Sequence, residues 1–90
     1  MKELKIIVTS LKEVGWVNCC FIDKNSELHY FTEQTPMVTE NFFPENFPFI
    51  GYLTCNILKI EGNIATIDIS PLCIDQNREY IFEVYLSQLK

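Results

Sequence analysis

Residues 16–33 read WVNCCFI, then DKNS, then ELHYFTE, and this stretch decides the fold. The first seven residues are rich in β-branched and aromatic types, which suit a pleated, half-buried surface. The next four are a short polar connection. The last seven resume with Leu28, Tyr30 and Thr32 alternating against His29, Phe31 and Glu33. Neighbouring side chains of a strand point to opposite faces, so alternation with a period of two predicts a strand. Two such runs joined by an Asp/Asn/Ser loop predict a β-hairpin.

The same signals recur on either side. Residues 4–11 (LKIIVTSL) carry apolar side chains at positions of both parities, as in a strand partly buried on both faces. Gly15 follows at a turn, where a residue without Cβ is free to take positive φ. Beyond the hairpin, Pro36 interrupts and residues 37–40 suit a short edge strand. Residues 41–50 (NFFPENFPFI) hold two prolines, which exclude a central strand or a regular helix. Residues 51–61 form a long strand, 61–63 a turn and 64–70 a return strand that Ser70-Pro71 stops. After a turn at 75–77, residues 80–86 place Tyr80, Phe82, Val84 and Leu86 on one face.

Five or six strands in 90 residues predict an all-β fold. The expectation is one domain over residues 1–90: a small antiparallel five- or six-stranded barrel, OB-like or SH3-like. Closure into a barrel removes the open edges that invite aggregation. A domain this size buries only about 60% of its unfolded surface, so a deep cleft would consume much of a thin stability margin.

Charge narrows the function. The net charge is −5, and no Lys or Arg occurs between Lys24 and Lys59, where Glu27, Glu33, Glu40 and Glu45 all fall. Nucleic-acid binders draw most of their affinity from Lys and Arg on phosphates. An acidic surface favours a basic protein partner instead. Trp16, Phe21, Tyr30, Phe31 and Tyr52 offer the aromatic platform on which an OB-fold stacks bases, so a nucleic-acid-binding domain is the alternative; its platform would lack a basic surround. No run approaches the ~20 apolar residues of a membrane helix. Glu3, Lys5, Lys12 and Glu13 break up the start, unlike a secretory signal. A cytoplasmic protein without membrane association is expected.

Catalysis finds little to use. His29 is the only histidine, so any Ser-His-Asp or Cys-His arrangement must pass through it, yet it lies in a predicted strand. Cys19 and Cys20 point to opposite faces, Cys55 and Cys73 are distant, and no CxxC pair exists. Buried thiols in a reducing compartment are expected. The three glycines never cluster into a phosphate loop. The expectation is no enzyme, no metal and no cofactor.

The unusual feature is Phe42-Phe43-Pro44-Glu45-Asn46-Phe47-Pro48-Phe49. Four phenylalanines in eight residues make a sticky patch if all are exposed. One outcome is that the loop plugs a barrel end. The other is that some rings, beside Glu40 and Glu45, anchor a partner or a second copy of the chain, as aromatic anchors inside a charged rim do.

Trp16-Val17-Asn18-Cys19, Phe21-Ile22-Asp23, His29-Tyr30-Phe31-Thr32-Glu33 and Pro36-Met37-Val38 together resemble small bacterial all-β proteins of the immunity type. Such proteins serve toxin–immunity systems of contact-dependent inhibition or type VI secretion. The resemblance spans roughly residues 4–60 as a pattern, and no binding residue is carried over from it. It implies a protein that binds and blocks a cognate toxin, for instance a basic nuclease. Glu33, Glu40, Glu45, Phe47 and Phe49 are the expected contact residues.

Overall fold

The predicted hairpin forms as read. In a computed structural model that describes residues 2–69, 74–75 and 80–90, β2 (Trp16–Ile22) and β3 (Leu28–Gln34) pair antiparallel from Trp16↔Gln34 to Ile22↔Leu28. The stop at Ser70-Pro71, the thiol of Cys73 and the 75–77 turn beyond the backbone of Asp75 lie outside the described residues.

β1 (Lys2–Glu13) precedes this hairpin and joins it through Val14 and Gly15, whose φ is +85°. A second hairpin pairs β4 (Phe49–Glu61) with β5 (Ile64–Asp68) through Gly62, whose φ is +60°. The two hairpins meet at β1, which pairs with β2 through residues 7–13 and with β4 through residues 2–8. Register shifts between Val8 and Ser10, Leu11 and Glu13, and Ile57 and Lys59 bend these long strands. Bulges of this kind increase twist and curl a sheet. A two-residue β6 (Ile74–Asp75) borders β3, and β7 (Ile81–Tyr85) borders β5. The full order is β6-β3-β2-β1-β4-β5-β7, antiparallel throughout.

The fold is all-β, as expected, and the sheet curls like a small barrel. Among the described residues six strands of five residues or more match the expected number, and a two-residue β6 extends the edge beside β3. Roll-up brings β7 back to the first hairpin: Lys24 N donates to Glu83 O at 2.8 Å, and the Phe82 ring meets Phe21 at 5.0 Å. Gln88, in a short 3-10 turn (Leu86–Gln88), donates from Nε2 to Ile22 O. No strand forms at the expected 37–40: a 3-10 turn, Thr35–Met37, ends there because Pro36 sits where its fixed φ suits a first turn, and residues 38–40 follow as irregular chain.

Inside the curl lie Leu4, Ile6, Val8, Val17, Cys19, Phe21, Phe31, Leu53, Cys55, Ala65, Ile67, Ile69, Phe82 and Val84, all buried. Gly51 lets β4 approach the 3-10 turn: a Cβ there would stand 2.7 Å from Val38 O. Cys20 and Cys55 are buried free thiols, and burial pushes both upward in pKa. Among the described residues no helix is long and apolar enough to cross a membrane.

Candidate functional site

The Phe-rich segment leaves the 3-10 turn at Val38, whose carbonyl accepts from Tyr52 N and fixes the exit point on β4. Two side-chain turns then direct the chain outward. Thr39 Oγ1 accepts from Asn41 N at 3.2 Å, and Asn41 Oδ1 accepts from Phe43 N at 3.1 Å. Such local bonds offer the backbone an alternative to a ladder and set its direction. Phe42 and Phe43 stand at the tip, 48% and 70% exposed, with rings edge-on at 5.0 Å and 72°. Pro44 is buried and returns the chain to the body.

Phe47 and Phe49 behave oppositely. Both are half-buried against the core, with ring centroids 5.6 Å apart. The loop therefore divides, one phenylalanine pair covering the core and the other facing solvent. Glu40 and Glu45 are exposed on either side of the outer pair, and Glu45, Phe43 and Phe49 line a shallow hollow of about 230 Å³.

Glu33 is not with them. It shares the inner face of β3 with Phe31 and is only 6% exposed, so its carboxylate is withheld from any surface contact. Oε1 accepts from Gln34 N at 2.8 Å, whereas Oε2 and the buried Thr35 Oγ1 have no hydrogen-bond partner among the described residues. Burial raises the Glu33 pKa and outweighs the Gln34 amide, which pulls the other way. Of the five expected contact residues, Glu40 and Glu45 are at the surface, Phe47 and Phe49 are half covered, and Glu33 is inside. Phe42 and Phe43, omitted from that set, are the exposed rings. The signal that separates the pairs is distance from β4: Phe49 begins the strand and Phe47 lies two residues before it.

The aromatic platform expected of an OB-fold is also split. Phe21 and Phe31 belong to the core, while Tyr30 lies on the outer face at 59% exposure.

Folding makes one cluster that the sequence reading missed. Asp23, Glu27 and His29 bring their ligand atoms within 4.8 Å of one another. His29 Nε2 lies 2.9 Å from Asp23 Oδ2, and its ring packs against Phe21 at 5.4 Å and Phe82 at 4.6 Å. Asp23 Oδ1 accepts from the amides of Asn25 and Glu27. Burial pushes the Asp23 pKa up, but the bonds from His29, Glu27 and Asn25 outweigh it and hold the carboxyl below its ordinary value. These contacts occupy both Asp23 oxygens in closing the hairpin loop. Lys24 and Lys59 line the same hollow and oppose a cation there. The cluster's geometry is that of a turn clasp.

No family model matches this chain, nor does any curated protein or solved structure.

Proposed function

We propose that this chain is a non-catalytic protein-binding module of the immunity type, which blocks a basic partner such as a cognate toxin domain. The contact is the loop tip at Phe42 and Phe43 with its flanking Glu40 and Glu45. One observation carries the reading: two large rings stand outside the core, packed on each other, in a stretch with no basic residue. Exposed aromatic side chains ringed by charge are the usual composition of an interface centre and its rim.

The physics supplies both halves of a binding event. Carboxylates attract a basic surface and raise the encounter rate, an effect that salt screens. Phe42 and Phe43 then provide the apolar area that slows dissociation. The bonds at Thr39 and Asn41 hold the tip in shape beforehand, so less ordering is required on binding.

The test begins with affinity capture of the partner from the source cells, followed by calorimetric titration of the purified pair. The expected partner is basic, its affinity falls with salt, and Phe42→Ala with Phe43→Ala weakens it sharply. A partner bound equally well by that double variant and by Glu40→Lys with Glu45→Lys refutes the assignment of this contact.

A further inference from the structure

The outer face of the sheet carries a second apolar surface, on different strands from the loop tip. Register aligns Ile50 with Ile7, Ile7 with Cys20, and Cys20 with Tyr30, a row that crosses β4, β1, β2 and β3. Ile22 and Leu28 face each other one pleat further along β2 and β3. An antiparallel sheet with one face on its core ordinarily turns polar residues outward. Here Ile7, Ile22, Leu28, Tyr30 and Ile50 are instead 45–59% exposed. Between them runs a groove of about 340 Å³, lined by Ile7, Cys20, Ile22, Ile50 and Tyr85.

We propose that this face is the interface of a two-fold homodimer in which two outer sheets pack on each other. Area is the first argument. With Tyr85, six large side chains on this face are each 41–59% exposed, a patch of the kind that marks a contact site, and a standard interface takes about 800 Å² from each partner. The bordering rim supplies the rest. Shape is the second: sheet faces stack on one another at about 10 Å with strands some 30° apart, and a two-fold axis makes one face sufficient for both partners.

Charge is the third argument, and it selects a copy of this chain over the basic partner proposed above. Among the described residues Lys5 is the one charged side chain lining the groove. Glu3 lies two residues away on the same exposed side of β1, and among the described residues neither forms an ion pair. Glu40 and Lys90 join Glu3 around the hollow next to Ile50, where Lys90 Nζ lies over the Tyr52 ring, and Glu83, paired with Lys24, borders Tyr85. The face and its rim thus carry charges of both signs in balance, which suits its own copy and gives a basic protein little to hold. The −5 charge of the chain does not gather here. The face adjoins the loop contact at Ile50 and Glu40, which line one hollow, whereas Phe42 and Phe43 line neither this hollow nor the groove.

Sedimentation equilibrium of the purified full chain tests the proposal from about 1 µM to 1 mM. The expected mass is twice the 10.5 kDa of the chain. Ile7→Glu and, separately, Ile50→Glu are expected to weaken association at least a hundredfold, with Ile7→Thr and Ile50→Thr as milder β-branched replacements. Circular dichroism checks that each variant keeps its sheet. Phe43→Glu, at the loop tip, is expected to stay dimeric. A monomer across the whole range overturns the proposal, whether or not this face captures another protein or a lipid vesicle. So does a dimer that survives the folded Ile variants, or one that Phe43→Glu abolishes. The loop reading stands or falls separately, on titration with its partner.

Discussion

Two connections of the molecule treat their polar groups in opposite ways. In residues 23–27 the chain turns inward on itself: Asp23 receives two backbone amides and the His29 imidazole, and Lys24 is tied to Glu83 through backbone and side chain. In residues 39–48 the side-chain bonds orient the backbone only, leaving Glu40, Glu45, Phe42 and Phe43 to solvent. The first connection spends its chemistry on closing the sheet. The second holds its chemistry out. Both hold Asn and Glu and have aromatic residues within or beside them, so composition alone does not separate a structural loop from a binding one; what separates them is where the bonds end.

Substitutions that move one property and spare the other put this contrast at risk. The largest effect is expected for Phe42→Ala with Phe43→Ala: about a hundredfold loss of partner affinity, as for a central hot spot, with stability unchanged within about 0.5 kcal/mol. Calorimetric titration and urea unfolding measure the two quantities on one preparation. Phe47→Ala, in the same loop but packed on the core, should lower unfolding stability by about 2 kcal/mol, somewhat below the full core value because its ring is half-buried. A stability unchanged by Phe47→Ala would erase the division between the two ring pairs.

Asp23→Ala probes the other connection. Losing its bonds should cost about 1.5 kcal/mol and leave partner affinity alone. The pH dependence follows from the sign of the shift. Because the folded chain holds the Asp23 carboxyl below its unfolded value, its contribution is complete above the unfolded pKa and fades as pH falls through the lower folded one. The difference between wild type and Asp23→Ala should therefore shrink only in strong acid. A gap that does not narrow there points to packing rather than the charged clasp.

The smallest effect is expected at Glu33. Its folded pKa is raised, so the folded chain keeps this proton to higher pH than the unfolded chain does. Stability from this group is therefore greatest below the unfolded value and declines as pH rises through the folded one. Glu33→Gln removes the buried charge and should raise stability by about 1 kcal/mol at pH 8, with the gain disappearing near pH 4. Urea midpoints at the two pH values decide it; a variant less stable at pH 8 would mean that the carboxylate has a favourable partner.

Much of this fold could be read from alternation. The hairpin read over residues 16–33 forms with its second strand one residue on, at Leu28–Gln34, because a period of two fixes both the strand and its buried face. The same alternation placed Glu33 beside Phe31 and His29, the face that folding buries. Charge suggested a surface role for Glu33, and periodicity was the better guide. The loop resisted for a different reason: prolines at 44 and 48 remove any repeat, so its four phenylalanines look alike until β4 fixes the positions of Phe47 and Phe49. The contact of Asp23 with His29 depends on how a non-helical turn bends and on the return of Phe82 from far along the chain. No local pattern carries that information.

The split ladder of β1 also has a kinetic side. Its two hairpins rest on near neighbours, but β1 joins β4 through pairs such as Lys2↔Cys55, which close most of the chain into one loop. Contacts of such long sequence separation slow folding toward the millisecond-to-second range. The seam between β1 and β4 is then the step that sets the rate. On that hypothesis Leu53→Ala, buried at this seam, retards refolding in stopped-flow mixing, whereas Ala65→Gly in the second hairpin chiefly speeds unfolding. The reverse assignment would place the slow step inside a hairpin.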